Sequence, residues 1–291
     1  QLSARFELSL DKRTFELCQQ IVKNNELEEL AQERVFEEIK KLLLKADKPS
    51  LGFELIKELG ILKYFPQLES LVGCEQDSVY HPEGDVWIHT LMCLDEMVKL
   101  KTGDEYKDLY LMLAVLCHDL GKPSTSQIRD GRITSYNHEK EGIEPTTEFL
   151  QLLTNEKKLL DKILPLVQNH LAPFQLFLNK SSLKAVKRLA VRVNIEELCL
   201  VCLADCRGRT ILDKDKCDEA VEWLLKNAQE LNVHNEKMPT LVQGRDLISL
   251  GLSPSPAFKK MLDFAYDLQI ENELFSKEEL LEIVIKKFRV K

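Results

Sequence analysis

Glycine and proline are scarce in this 291-residue chain, which has only 11 of the first and 10 of the second. A fold built from many short strands needs many tight turns, and these two residues supply most of them. The shortage therefore argues against a large all-β fold and favours helices. Hydrophobic residues make up 44% of the chain and charged residues 30%, as is typical of a globular protein with a large core.

The chain also lacks long hydrophobic runs, a signal-peptide pattern and an excess of positive charge. Its apolar stretches are interrupted well before the length that crosses a bilayer, so we expect no membrane partner. The formal net charge of −8 argues against a general nucleic-acid coat but leaves room for a local basic face. The eight cysteines include Cys199 and Cys202 but no second pair at zinc-site spacing. We therefore expect mostly reduced thiols and a cytoplasmic protein.

Helical spacing of apolar residues extends over nearly the whole chain and predicts an all-α protein. We expect a helical segment at 1–75, a central helical domain at 76–235 and a small helical tail at 236–291. In the first segment, a helix break is expected at Asn24 and Asn25. The long helices of the central domain are predicted at 86–101, 106–120, 138–154, 156–171, 181–193, 195–206 and 214–230. A polar loop at 123–137 should hold a small hairpin around Asp130 and Gly131.

Histidine is rare, with six residues at positions 81, 89, 118, 138, 170 and 234. Four of them fall within the central helical block, whereas His81 and His234 lie in polar surroundings and are expected at the surface. His118 and Asp119 stand side by side at the end of the apolar run 109–117. Gly121 suits a helix C-terminal turn at that point.

Asp205 lies far from His118 in the sequence, in the predicted helix 195–206. It shares an apolar face of that helix with Leu198, Val201 and Cys202. A buried carboxylate is costly unless it has partners, and several such groups satisfy one another around a divalent cation. We therefore predict that four side chains hold a metal: His89, His118, Asp119 and Asp205. Each histidine alone could instead be a core residue bonded to a backbone carbonyl, and Asp205 could cap a helix or pair with Arg207 or Arg209.

Imidazole and carboxylate ligands suit Mn, Fe, Co, Ni or Zn, and Mg suits a carboxylate-rich subset. Lys122 follows the His118–Asp119 pair closely enough to contact a phosphate. Its alternative role is that of a solvated cation at a helix end.

This set of residues resembles the H…HD…D motif of the HD-domain phosphohydrolase superfamily. The matching positions are His89, His118, Asp119 and Asp205. The resemblance implies a helical bundle in which these residues hold a divalent metal for the hydrolysis of phosphate esters. We expect His118, Asp119 and Lys122 to be the catalytic residues. His138 and His170 stand where two-metal members of the superfamily carry two further ligands, so one or two ions are implied.

The motifs around these residues resemble those of one particular family within the superfamily. HPEGDVWIHTLM (81–92), LCHDLGK (116–122) and LADCRGR (203–209) are similar to motifs of the HD-containing bacterial CCA-adding tRNA nucleotidyltransferases. Residues 2–14 and 33–43 resemble the stretch after that family's nucleotide-selecting segment and its neck helix. Residues 239–258 resemble its tail, with Ser255 in place of a glycine.

The same family implies a catalytic head with a Gly-Ser turn followed by two aspartates on a strand, and this sequence has no such pattern. Asp213-Lys214-Asp215 has the spacing of the two aspartates but no Gly-Ser turn, and it is interpreted as a solvated charge run. We therefore expect the neck, HD body and tail of such an enzyme, without nucleotidyl transfer by this chain alone.

The resemblance also implies tRNA as a partner. Candidate phosphate contacts are Lys40, Lys41, Lys184, Lys187, Arg188, Arg192, Arg207 and Arg209. Four of them recur at helical spacing in 184–192, although an ordinary solvated helix face gives the same pattern.

The substrates that the resemblance implies are 2′,3′-cyclic phosphates, 2′-nucleotides or terminal phosphates on tRNA ends or nucleotides. The alternatives are a catalytically silent tRNA-binding body and a free-standing HD nucleotidase. The oligomeric state is left open.

Overall fold

The computed structural model describes residues 1–210, 215–234, 239–271 and 275–288. The regular structure in these ranges is helical apart from one two-stranded hairpin, which confirms the predicted all-α fold. None of the described helices is both long enough and apolar enough to cross a bilayer. Asp213 and Lys214 of the predicted charge run lie outside the described residues.

The N-terminal part consists of short helices separated by tight turns. They are α1 (Leu2–Phe6), α2 (Lys12–Lys23), α3 (Gln32–Lys45), α4 (Pro49–Glu58) and α5 (Pro66–Glu69), with 3-10 turns at Glu26–Glu29 and Ile61–Tyr64. The Asp11 carboxylate caps α2 by accepting from the backbone N–H of Arg13 at 2.7 Å. The break predicted at Asn24 and Asn25 is confirmed, because Asn25 adopts a left-handed conformation with φ of 60°.

The central part contains ten helices in the described residues and the predicted hairpin. The helices are α6 (Val86–Val98), α7 (Glu105–Cys117), α8 (Lys122–Thr125), α9 (His138–Glu141), α10 (Ile143–Leu153), α11 (Lys157–Asn169), α12 (Ala172–Leu178), α13 (Leu183–Arg192), α14 (Ile195–Arg207) and α15 (Asp215–Glu230). Strands β1 (Gln127–Arg129) and β2 (Arg132–Thr134) pair antiparallel, with Ile128 opposite Ile133. The helix predicted at 138–154 is divided at Gly142, and α12 was not predicted.

Helix α7 forms the centre of the core. Every residue from Asp108 to Cys117 is buried, and the helix packs against α6, α11 and α3. A helix that is buried on all sides shows little amphipathic pattern and must lie inside the bundle. Its C-terminal end therefore carries His118 and Asp119 into the interior, where both are about 1% exposed.

The chain divides into two compact units. The first comprises residues 1–179 and 196–224, and the second comprises 180–195 and 225–291. In the second unit, α16 (Gly244–Ser249), α17 (Pro256–Glu271) and α18 (Lys277–Phe288) enclose their own apolar core, which includes Leu247, Leu280 and Val284. The division into segments 1–75, 76–235 and 236–291 stays a prediction.

Candidate metal centre

Four histidines from four helical segments meet in the interior of the first unit. His89 lies in α6, His118 follows α7, His138 begins α9 and His170 follows α11. Each Nδ1 is tied to a fixed oxygen: His118 to Val115 O at 2.7 Å, His138 to Ser135 O at 2.7 Å, His170 to Val167 O at 2.7 Å and His89 to Glu83 Oε1 at 2.9 Å. These acceptors assign the proton to Nδ1, which leaves the lone pair on Nε2 facing inward.

The inward Nε2 atoms face other lone pairs rather than donors. His89 Nε2 lies 3.1 Å from Asp205 Oδ1, and His118 Nε2 lies 3.2 Å from Asp119 Oδ2. On the other side of Asp119, His138 Nε2 lies 3.3 Å from Oδ1 and 3.2 Å from the Nε2 of His170. Acceptors held this close repel one another unless a proton or a cation lies between them.

The carboxylate of Asp119 stands between two groups of donors. Its Oδ2 faces His118 and is 3.7 Å from His89 Nε2, while its Oδ1 faces His138 and His170. Asp205 completes the first group. The predicted ligands and the two further histidines are therefore brought together, and an aspartate in this position could bridge two ions.

The donors fit a divalent cation. His118 Nε2 and Asp119 Oδ1 are buried and have no hydrogen-bond partner among the described residues, whereas Asp119 Oδ2 forms an ion pair with Lys122. Donor atoms bound at about 2.1 Å to one ion lie roughly 3.0 to 3.4 Å from one another in octahedral or tetrahedral geometry. Most of the contacts between these donors fall within that range, and the donor set of imidazole and carboxylate is one that divalent transition metals prefer.

Local charges hold both carboxylates in the anionic form. Burial opposes the ionisation of Asp119, but the interactions of its carboxylate with His118 and Lys122 outweigh it and hold the pKa of Asp119 well below its usual range. Burial likewise opposes ionisation of Asp205, and Arg209 outweighs it, so its pKa is also well below the usual range. Burial and the neighbouring imidazoles lower the pKa of His170 to about 3, which keeps this ring neutral and able to bind a metal.

Two cations flank the carboxylates. The Nζ of Lys122 lies 2.7 Å from Asp119 Oδ2 and donates to Gln76 Oε1 at 2.6 Å. Lys122 is only 6% exposed, so its interpretation as a solvated helix-end cation is wrong. Arg209 donates to both oxygens of Asp205, at 2.8 and 2.9 Å. Any contact of Arg209 with a phosphate would have to be made inside this site.

His81 and Glu83 belong to the site, so the surface position predicted for His81 is wrong. The His81 side chain is only 12% exposed, and its Nδ1 lies 2.9 Å from Glu83 Oε1. Burial lowers the pKa of His81 to about 4. Glu83 thus accepts from both His81 and His89 and fixes the orientation of a predicted ligand. Because His81 and Glu83 lie in a polar loop, the sequence pattern does not indicate that they contact His89.

His234, the other histidine expected at the surface, is half-buried in the second unit.

Cysteines also lie close to the centre. Cys93 follows His89 by one helical turn, and its Sγ lies 3.4 Å from His89 Nε2. Burial raises the pKa of this thiol well above its usual value.

Cys206 and Cys217 form a disulfide between α14 and α15. The other six cysteines, all in the described part, are free, as expected for most of the thiols.

Close backbone contacts at glycines bring the ligand-bearing segments together. A Cβ on Gly121 would overlap the carbonyl oxygen of His138 and lie 2.6 Å from the backbone nitrogen of Gly142. The φ of Gly121 is −85°, so close packing of α8 on α9, and not a special C-terminal angle, explains this glycine. A Cβ on Gly208 would likewise overlap Cys93 Sγ, which keeps α14 and its Asp205 close to α6.

We expect Gly121→Ala to destabilise the protein by about 2 kcal/mol or more, because backbone atoms cannot move aside as a flexible side chain can. The matched control is Gly244→Ala, whose Cβ would meet nothing within 4 Å. Chemical denaturation of both variants measures the difference. Equal stability of the two variants would contradict the close packing of α8 on α9.

The predicted phosphate contacts fall on separate elements. On α13, in the second unit, Lys184, Arg188 and Arg192 are exposed and Lys187 is half-buried, while Val186, Leu189 and Ala190 are buried. In the first unit, Arg207 donates to Asp218 at 2.9 Å, Lys40 lies 3.5 Å from Glu105, and Lys41 lies 3.0 Å from Glu38. The structure therefore supports a cationic side of α13, and the RNA role of all these residues stays a prediction.

Comparison with protein families places the centre in a known class. The family model described as "HD domain" matches residues 86–209, the range that contains all six candidate metal-binding residues. A second model, described as "Probable RNA and SrmB- binding site of polymerase A", matches residues 7–71. The helical fold and the two matches together indicate an HD-domain protein whose residues 7–71 are similar to the RNA-binding region of a polymerase.

Curated relatives narrow this class further. The chain is 34% identical over 246 residues to the "Multifunctional CCA protein" of Mannheimia succiniciproducens, an alignment that covers 79% of this chain and 56% of the relative. The proteins of the same name from Pasteurella multocida and Alkalilimnicola ehrlichii are 32% and 31% identical, over 78% and 76% of this chain and 55% and 54% of the relatives. The chain therefore carries an HD domain and is homologous to part of the Multifunctional CCA proteins. It spans about half the length of the relatives it matches.

Proposed function

We propose that this chain is a metal-dependent phosphohydrolase that acts on phosphate esters at tRNA ends or on nucleotides. The candidate substrates are 2′,3′-cyclic phosphates, 2′-nucleotides and terminal phosphates. The observation that carries the proposal is the meeting of four Nε2 lone pairs and two anionic carboxylates in one buried centre. The cofactor is one or two ions of Mg, Mn, Co, Ni or Zn.

The chain's own residues would have distinct tasks in this reaction. A bound divalent cation supplies an activated water and neutralises charge on the phosphate. His89, His118, Asp119 and Asp205 would hold the first ion, and Asp119, His138 and His170 a second. Glu83 orients the ring of His89, and Arg209 orients the carboxylate of Asp205. Lys122 would bind a phosphate oxygen, since its Nζ lies at the cavity wall beside Asp119.

RNA binding is the second part of the proposal. The match of residues 7–71 to an RNA-binding family model and the similarity to CCA proteins support tRNA as the partner. The cations of α13 would supply phosphate contacts to it. We propose a cytoplasmic location, where tRNA is available.

Elemental analysis combined with a hydrolase assay tests this function. Purified protein should contain a divalent metal, and after chelation one of Mg, Mn, Co, Ni or Zn should restore hydrolysis of a nucleoside 2′,3′-cyclic phosphate. Metal binding with no turnover of cyclic phosphates, 2′-nucleotides or terminal phosphates would overturn the hydrolase proposal.

The second candidate is a catalytically silent tRNA-binding body, which the RNA-binding match at 7–71 favours. It predicts salt-dependent tRNA binding without turnover in the presence of any of the five metals. A free-standing HD nucleotidase would show the opposite behaviour, with turnover of free nucleotides and no affinity for tRNA.

The double variant Lys184→Ala and Arg192→Ala tests the RNA surface. If both cations contact phosphates, the slope of log affinity for tRNA against log salt should become about 2 units less steep. The control is Lys158→Ala, another exposed cation, which lies on α11. Filter binding at several salt concentrations gives the slopes. An unchanged slope in the double variant would show that α13 is an ordinary solvated helix face.

A further inference from the structure

A covalent crosslink joins the helix that carries Asp205 to the helix that follows it. Cys206 lies in the last turn of α14 and Cys217 in the first turn of α15, and their side chains form a disulfide. Cys206 directly follows Asp205, and Arg209, which donates to both oxygens of that carboxylate, comes three residues later. The disulfide therefore holds the part of the chain that supplies one candidate metal ligand and its orienting cation.

A second contact between the same two helices is much weaker than the disulfide. Arg207 donates to Asp218 at 2.9 Å, but both side chains are partly exposed, and such pairs contribute at most about 1 kcal/mol. Helix ends fray where little holds their last turn. Opening the disulfide should therefore loosen the end of α14, although Gly208 still packs against Cys93 of α6.

A cavity gives small molecules access to this disulfide. Both cysteines line a cavity of about 630 Å³, together with Val79 and Tyr80. Because Val79 is 67% exposed and Tyr80 is 54% exposed, the cavity meets the surface at these side chains. Lys216 also lines the cavity, and an ammonium group beside a sulfur favours the thiolate that leaves in disulfide exchange. The disulfide should therefore be accessible to a thiol in the folded protein.

The free thiol that is nearest in the sequence does not compete for this disulfide. Cys202 lies one helical turn before Cys206 and lines the same cavity. Burial raises the pKa of Cys202 to about 12. Because the attacking group in disulfide exchange is a thiolate, this protonated thiol is inactive at neutral pH. The bond between Cys206 and Cys217 should therefore persist until an external thiol opens it.

We propose that Cys206 and Cys217 form a reversible redox site, which a dithiol reductant opens and a small-molecule disulfide closes again. In the opening step, a thiolate of the dithiol attacks one sulfur of the Cys206–Cys217 bond, and its second thiol resolves the mixed disulfide. Two electrons and two protons pass to the cysteines, which become thiols, and the dithiol leaves as a disulfide. In the proposed cytoplasmic location, a disulfide is usually redox-sensing or catalytic rather than structural.

The redox state of this site should control the affinity of the candidate metal centre. In the oxidised protein the disulfide fixes the end of α14 beside Asp205 and Arg209, and in the reduced protein that end is free to fray. Groups that orient a metal ligand typically change metal affinity by ten- to a hundredfold, so reduction should weaken metal binding by about tenfold. This consequence rests on the proposed metal centre, whereas the exchange reaction itself needs no metal.

The first test counts thiols by alkylation and mass spectrometry of the unfolded protein. With the disulfide closed, six of the eight cysteines should be alkylated, and all eight should be alkylated when the folded protein is first treated with dithiothreitol. Oxidised glutathione should return the count to six. Cys217→Ser should show the same count before and after dithiothreitol, whereas the control Cys202→Ser should keep the exchange. A disulfide that opens only after unfolding, or eight thiols from the start, overturns the inference.

The second test measures Mn²⁺ affinity by electron paramagnetic resonance, which does not depend on turnover. The oxidised protein should bind Mn²⁺ about tenfold more tightly than the reduced protein. Cys217→Ser should bind like the reduced form under both conditions, and Cys202→Ser should keep the difference, with folding of each variant confirmed by circular dichroism.

Equal affinities in the two redox states, or a difference that persists in Cys217→Ser, would overturn the inference. Redox-dependent Mn²⁺ binding without hydrolysis of any candidate substrate would overturn the proposed hydrolase and leave the redox site standing. Absence of Mn²⁺ binding in both redox states would overturn both proposals.

Discussion

Replacing Asp119 with asparagine is expected to abolish hydrolysis and to remove most of the bound metal. Asparagine keeps the shape of the side chain but loses the charge that stands between His118 Nε2 and His138 Nε2. If the ion lowers the barrier by several kcal/mol, its loss reduces kcat by roughly a thousandfold or more. Metal analysis and the cyclic-phosphodiesterase assay on the same preparation measure both effects.

Thermal stability separates loss of the metal from loss of the fold. A ligand present at 100 times its dissociation constant stabilises the folded state by about 2.7 kcal/mol, so metal should raise the Tm of the unchanged protein. Asp119→Asn should fold but show no such rise. The control Asp161→Asn changes an exposed carboxylate on α11 and should keep both activity and the Tm rise. Full activity in Asp119→Asn would show that the centre is not catalytic.

Replacing Arg209 with alanine should destabilise the metal-free protein by about 3 kcal/mol, because it leaves the Asp205 carboxylate buried without its partner. Added metal should recover part of this loss, since a cation can compensate the same carboxylate. Arg207→Ala is the matched control, two residues away on the same stretch of chain. Arg207 pairs with Asp218 at the surface, and such pairs contribute at most about 1 kcal/mol.

Urea denaturation with and without metal measures this difference between the two arginines. We expect a large, metal-sensitive loss of stability for Arg209→Ala and a small, metal-independent loss for Arg207→Ala. Similar losses of stability in Arg209→Ala and Arg207→Ala would mean that Arg209 does not compensate the buried charge of the Asp205 carboxylate.

Much of the side-chain cluster could be predicted because its candidate ligands interrupt otherwise apolar helices. His118 and Asp119 end the buried helix α7, and Asp205 lies on the apolar face of α14, so each is conspicuous as a polar group in a hydrophobic pattern. The hairpin at Asp130 and Gly131 was predictable for a similar reason, since its turn residues stand between two short extended runs.

Other parts of the centre depend on contacts that have no local pattern. His81 and Glu83 lie in a polar loop, and only the tertiary structure carries them against His89. Arg209 follows Asp205 by four residues, and pairing was one of two alternatives open from the sequence, beside a contact with RNA. The Cys206–Cys217 disulfide and the role of Gly121 both arise from approaches between separate segments.

A crystal of the protein soaked in Mn²⁺ tests the central claim most directly, through its anomalous difference density. The account predicts one or two peaks beside the Asp119 carboxylate, each about 2.0 to 2.3 Å from the ligand atoms. The first would contact His89, His118 and Asp205, and the second, where present, His138 and His170. Imidazole rings that turn away from one another around an empty centre, with Mn²⁺ bound only at the surface, would contradict the account.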